Sequence, residues 1–277
     1  MKLEFVKMSG AGNDFIVVDN IDSSLDTVIT PYLIRNLCVR GLSVGADGLL
    51  EMRSDREYAF RMKYYNNNGK SAGMCGNGAR CMVAFAASKG IIRDNEVIHF
   101  RSDAGIHSAE IIESDSVKLW MTDPEIHYLN RIIKLDSVDL NLSFLDTGVP
   151  HAVVILDGSE DLPFPEFASK LRNNTLFGEA GANVDFVRLR GPSELDIRTW
   201  ERGVEGETLA CGTGAVAAAI CAVDIHGMNL PVDITVRSGL KLRVGRNNIG
   251  WWLQGEARAA YTGVIETASL PDLAAVI

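Results

Sequence analysis

One short pattern occurs twice in this chain and dictates most of what it can fold into: Cys75-Gly76-Asn77-Gly78-Ala79 and, much later, Cys211-Gly212-Thr213-Gly214-Ala215. Each copy leads into an alanine-rich apolar run, residues 82–87 and 216–223, and each run closes on a glycine, Gly90 or Gly227. A cysteine, two glycines flanking a polar residue, then helical periodicity ending at glycine predicts a thiol seated at a helix N-terminus. Two matched copies predict two thiols that work as a pair.

That placement favours reactive sulfur. The first backbone N–H groups of a helix have no partner within it, and the helix dipole adds partial positive charge there, so a thiolate or carboxylate is stabilised. Each copy is therefore expected to lower a cysteine pKa and to offer amide donors to an anion, with both glycines letting the backbone approach a ligand closely. A single Gly-rich turn before a helix would read as packing around an inert cysteine. The repetition argues for chemistry.

The 277 residues suffice for one large domain or two medium ones, each with a proper core. Hydrophobic residues make up 47% and charged ones 23%, which is globular usage and excludes a disordered chain. A formal net charge of −9 without a dense Lys/Arg cluster argues against a nucleic-acid backbone as partner. No stretch approaches the run of about 18 apolar residues that a membrane span requires. The start, Met1-Lys2-Leu3-Glu4-Phe5, reads as a strand and not as a signal peptide, so the expected compartment is the cytoplasm. Five cysteines, an odd number in a long chain, fit a reducing compartment better than a disulfide framework.

Along the chain, strands are predicted at 3–7 and 15–19 around a Gly-rich turn at 9–14. A helix over 32–40 follows, with Thr30 as N-cap, Pro31 at the first position, Gly41 at the end and Cys38 packed inside. Phe60, Met62 and Tyr64 alternate with Arg61 and Lys63 in a strand over 58–65, which runs into the turn Asn66-Asn67-Asn68-Gly69 and the first cysteine loop. Further strands are expected at 97–101, 106–112 and 117–121, and Asp123-Pro124 marks a domain boundary. The second half offers a strand at 152–156 after Gly148-Val149-Pro150-His151, a helix at 167–172, and strands at 185–189, 195–201, 240–244 and 251–254. Asn13-Asp14-Phe15 and Asn183-Val184-Asp185-Phe186 form a weak echo between the halves. Two mixed halves related by a pseudo-two-fold, their cysteine loops facing across a cleft, use all of these features.

The segments Gly10-Ala11-Gly12-Asn13-Asp14-Phe15, Cys75 to Cys81, Pro150-His151, Glu201-Arg202-Gly203 and Ala210 to Ala215, continued by Gly255-Glu256-Ala257, together resemble the diaminopimelate epimerase family. Five spaced motifs in one order are far more specific than any single Gly-rich loop. The resemblance implies an α+β fold of two pseudo-symmetric domains, each a mostly antiparallel sheet or barrel wrapped around a central helix, with the active site in the cleft between them. It places residues 1–121 with 256–277 in one half and 122–255 in the other, the last strand returning to the first domain. Such enzymes use no pyridoxal phosphate, so no cofactor is expected. The expected partners are a small amino-acid substrate and, as for many members, a second copy of the chain.

Inverting a carbon that bears hydrogen requires proton removal on one face and delivery on the other, which two thiols accomplish, one as thiolate and one as thiol. Cys75 and Cys211 are the candidate pair. The N–H groups of Gly76, Asn77, Gly212 and Thr213 can stabilise the developing negative charge. The resemblance assigns Asn13, Asn66, Asn183 and Arg202 to gripping substrate polar groups, and Arg202 can take a carboxylate through two parallel hydrogen bonds. It sets His151 and Glu201 beside the thiols and the substrate amine. Cys81 and Cys221 read as core, and His99, His107, His127 and His226 have no metal-ligand pattern, so no metal is expected. Val149 stands where many members carry asparagine, and Gly48 where many carry glutamine; both bear on substrate identity. Racemisation of another amino acid such as histidine is the nearest rival, with a thiol redox pair or a non-catalytic amino-acid-binding module as readings of other classes.

Overall fold

Phe15 to Val18 is apolar without a break, and the computed structural model shows why: all four side chains are fully buried because both faces of their strand are covered. The structure describes residues 1–93, 96–113, 115–136, 138–156 and 163–270. Backbone contacts divide the chain into two units, Met1–Leu119 with Gly255–Ile277, and Trp120–Gln254; residues 271–277, in the expected first half, lie outside the described residues.

In the first unit the strand Asn13–Asp19 pairs antiparallel with Lys2–Gly10 and parallel with Gly48–Arg53, which in turn pairs antiparallel with Arg61–Asn66. One face meets helix α1, Pro31–Cys38, through Ile16, Val18, Leu49, Leu33, Ile34 and Leu37. The other meets helix α2, Gly76–Ser88, where Phe15 and Leu50 close on Gly78. Ile98–Ser102, Gly105–Glu113 and Ser116–Trp120 continue antiparallel. The closing strand Arg258–Glu266 returns to pair with Lys2–Gly10. Helix α2 is buried from Asn77 to Ala86, which suits a run made of small residues.

The second unit runs the same plan. Pro150–Leu156 pairs parallel with Asn183–Leu189, which pairs antiparallel with Glu194–Glu201. Helix α3, Phe164–Arg172, covers one face with Phe167 and Leu171. Helix α4, Gly212–His226, is apolar on nearly every side and ends where Gly227 turns left-handed at φ 65°. Two long strands, Glu125–Leu135 and Val138–Asp146, pair with each other ahead of this plan.

Several sequence expectations change here. The strands Gly48–Arg53, Glu125–Leu135 and Val138–Asp146 were not anticipated. Gly48–Arg53 is buried along nearly its whole length, so it carries no polar alternation. Glu125–Leu135 is mostly exposed and lacks an apolar face. Helix α1 ends at Cys38, before Gly41, because Val39 is already extended at ψ 120°. The Asn13/Asn183 echo is out of step by one strand: Phe15 pairs with Gly48 as His151 pairs with Asn183, so Asn183 is the counterpart of Gly48, and Val149 that of Asn13. On this register the cysteines follow at matched distances, 27 residues from 48 to 75 and 28 from 183 to 211. No helix among the described residues is long and apolar enough to cross a membrane.

Candidate active site

Each cysteine of the repeated pattern is the N-cap of its helix, with extended backbone at φ −138° for Cys75 and −125° for Cys211. A Cβ on Gly78 would touch Leu50 at 3.0 Å, and one on Gly214 would come within 2.5 Å of Asp185 Oδ1. The second glycine of each loop therefore serves packing inside its own unit, not the close approach of a ligand that was expected of both.

In the first unit the Cys75 sulfur accepts from the Gly78 N–H at 3.5 Å and its thiol donates to Asn13 Oδ1 at 3.7 Å. Asn13 is held by its amide nitrogen on Asp47. Asn77 turns its side chain inward, donating to Asn13 Oδ1 at 3.4 Å and accepting from Arg80 at 2.8 Å, so its backbone N–H remains as its possible donor to an anion. Asn66 ends its strand and accepts from the Tyr64 hydroxyl at 2.8 Å. Gly48 sits opposite Asn66, where a Cβ would collide with the Tyr65 carbonyl and the Tyr64 ring.

The second unit gathers a tighter cluster. His151 is fully buried, its Nδ1 2.6 Å from Asp185 Oδ2 and its Nε2 2.9 Å from the Thr213 hydroxyl, which lies 3.3 Å from the Cys211 sulfur. His151 thus reaches Cys211 through Thr213. Asn183 shares the imidazole at 3.3 Å and accepts the Arg202 backbone N–H at 2.8 Å. The Arg202 guanidinium contacts the Gly181 carbonyl at 3.3 Å. Glu201 accepts from the Thr208 hydroxyl at 2.5 Å. Val149 carries no hydrogen-bonding side chain where Asn13 has its counterpart.

Electrostatics corrects one expectation. Burial, followed by the charges of Glu201 and Asp185, pushes the Cys211 thiol well above its ordinary value, outweighing the helix N-terminus. Glu201 is itself raised, by burial first and then by Asp185. Asp185, Thr147, Thr208, Asp47 and Arg80 were not singled out from sequence. Thr147 donates to the Thr213 carbonyl at 3.0 Å and so fixes the loop. Asp185 carried a readable signal, a carboxylate within the apolar strand Val184 to Val187 that must find partners once buried. Among the described residues no group of three His, Cys, Asp or Glu is placed to hold a metal.

Comparison with known proteins follows from this geometry. A family profile described as diaminopimelate epimerase matches residues 5–127 and 143–258. A diaminopimelate epimerase of Chlorobaculum tepidum is 39% identical over 93% of this chain and 99% of that protein. One of Flavobacterium psychrophilum is also 39% identical, over 88% of this chain and 91% of its own. Among solved structures, a PhzF-family phenazine biosynthesis protein of Bacillus anthracis superposes with a TM-score of 0.69 at 12% identity, covering 96% of this chain and 99% of its own. That likeness shows the fold: two repeated domains of sheet with few helices.

Proposed function

The chain belongs to the diaminopimelate epimerase family and is an isomerase, and from that premise we propose that it interconverts LL- and meso-diaminopimelate, a step toward lysine, by a two-thiol mechanism without pyridoxal phosphate. The observation that carries the mechanism is the matched pair of cysteine N-caps, each starting a buried, small-residue helix in the same strand plan. One thiolate takes the α-proton from one face of the carbon while the other thiol delivers a proton to the opposite face. The roles exchange for the reverse reaction.

The carbon acid is weak, so the charge that develops toward the carboxylate needs fixed donors. The backbone N–H groups of Gly76, Asn77, Gly212 and Thr213, at two helix N-termini, are suited to that load. Arg202 is assigned to a substrate carboxylate, and Asn13, Asn66 and Asn183 to its polar groups. Glu201 and His151 work on Cys211: the Glu201 charge pushes the thiol up, and the imidazole, oriented by Asp185, orients Thr213 against the sulfur.

A second reading, racemisation of another amino acid such as histidine by the same chemistry, is favoured by one observation. Val149 and Gly48 are counterparts of Asn13 and Asn183, so each unit offers one amide where two could stand. Chiral chromatography of a panel of amino acids after incubation with the protein separates the readings. Turnover of diaminopimelate with none of histidine supports the first; the converse supports the second.

A further inference from the structure

Tyr64 and Thr199 hold the same place in the two units. Leu50 pairs with Tyr64 across the strands Gly48–Arg53 and Arg61–Asn66, as Asp185 pairs with Thr199 across Asn183–Leu189 and Glu194–Glu201. Each pair lies beneath the second glycine of its cysteine loop: a Cβ on Gly78 would meet Leu50 and Phe15, and one on Gly214 would meet Asp185 and His151. The second unit fills this floor with a polar relay, Thr199 donating to Asp185 Oδ1 at 2.7 Å and Asp185 holding His151. In the first unit Phe15 and Leu50 occupy the places of His151 and Asp185, and neither side chain can accept a hydrogen bond.

A half-buried hydroxyl with no acceptor across the strand has to reach elsewhere. Tyr64 reaches along its own strand to a residue on the same face: its hydroxyl donates to Asn66 Oδ1 at 2.8 Å. The ring is held in place for this. It packs edge-on against fully buried Phe15, with centroids 6.0 Å apart and planes at 80°, and its Cε2 lies 2.8 Å from where a Gly48 Cβ would stand. The missing side chain of Gly48 is thus the room that lets the hydroxyl meet Asn66. The Asn66 backbone is pinned too, its N–H donating to the Lys70 carbonyl and its carbonyl accepting from the Gly69 N–H, both at 2.9 Å.

This contact decides which end of the amide a ligand meets. An untethered asparagine can turn out either its oxygen or its nitrogen, and so accepts donors and acceptors alike. With Oδ1 engaged by Tyr64, Asn66 Nδ2 has no partner among the described residues and presents two N–H donors. We infer that Tyr64 is a specificity-determining positioning residue: acting through Asn66, it fixes that amide as a donor and so selects a carboxylate oxygen of the substrate over an ammonium group at this position. Two residues past Thr199 the second unit carries Glu201, an acceptor, so the matched positions Asn66 and Glu201 have opposite hydrogen-bonding sense. The inference rests on the reading that Asn66 grips the substrate.

Tyr64→Phe removes the hydroxyl and keeps the ring beside Gly48, so the fold is retained and an unchanged urea midpoint verifies it. Calorimetry of LL-diaminopimelate binding is run in a Cys211→Ser background, with Tyr64 intact or Tyr64→Phe, each with Asn66 intact or Asn66→Ala. Tyr64→Phe is expected to weaken binding about fivefold to tenfold when Asn66 is intact and by less than about twofold in Asn66→Ala, because the hydroxyl acts only through the amide. Steady-state kinetics of the single Tyr64→Phe protein should show the same rise in KM with kcat within about twofold. Asn66→Asp, which still accepts from Tyr64 but offers the ligand no donor, should bind at least about tenfold more weakly. Binding unchanged by Tyr64→Phe, an equal loss in Asn66→Ala, a change confined to kcat, or wild-type affinity in Asn66→Asp overturns the inference. Binding without turnover by the wild type would fail the epimerase reading alone, since the binding comparison still decides the role of Tyr64. If diaminopimelate does not bind, the comparison is made with the panel amino acid that does; a wild type that binds none of them overturns the inference.

Discussion

His151 Nδ1 lies 2.6 Å from Asp185 Oδ2, and both side chains are fully buried. The carboxylate fixes the ring, so Nε2 is committed to Thr213, and the orientation of Cys211 is set two contacts away. Asp185→Asn keeps the shape and removes the charge. It is expected to lower kcat about 100-fold with little change in KM, because the loss falls on proton transfer and not on substrate binding. Steady-state kinetics in both directions checks this; a change confined to KM would contradict it.

Gly214 is required by packing. A methyl group there would press on Asp185 Oδ1 and on the His151 ring. Gly214→Ala is expected to cost about 1–3 kcal/mol in stability and to reduce activity as well. Urea denaturation measures the first, and a wild-type midpoint would show that the loop has room the structure does not give it.

Glu201 makes stability and activity pull apart. Its folded carboxyl titrates above the ordinary range because of burial and the nearby Asp185 charge. Between the two values the folded protein holds a proton that the unfolded chain has released, so stability falls as pH rises through that interval and the loss persists at neutral pH. Glu201→Gln is expected to raise Tm at about pH 7.5, to show no gain at about pH 3, where both states are protonated, and to lower kcat. A Tm offset independent of pH would contradict this.

Cys38, Cys81 and Cys221 are buried thiols pushed up to about 12 by desolvation. Brief iodoacetamide treatment at about pH 8 should leave all three unmodified while Cys75 reacts, and Cys81→Ala should leave kcat within about twofold. Peptide mass spectrometry reads the first outcome. Early labelling of Cys81 or Cys221 would contradict the core assignment.

What was legible in the sequence had local causes. Thr30 and Pro31 announced α1, Gly227 announced the end of α4, and the apolar small-residue runs announced the two enclosed helices. What was hidden depended on tertiary cover. Gly48–Arg53 shows no alternation because α1 and α2 bury both its faces, and without it the repeat was read one strand out of step. Cys211 looked like its partner at the level of motif, since only the fold brings Glu201 and Asp185 to its sulfur. Arg80 carries no sign in sequence that its side chain will be fully buried, because only the fold packs the strands around α2.

The most direct test of the two-thiol mechanism is exchange of the α-hydrogen of LL-diaminopimelate in deuterated water, under reducing conditions and without pyridoxal phosphate, by wild type, Cys75→Ser and Cys211→Ser. The account predicts exchange with epimerisation in the wild type and severe loss of epimerisation, by about 100-fold or more, in each mutant. Full epimerisation by either single mutant would contradict it.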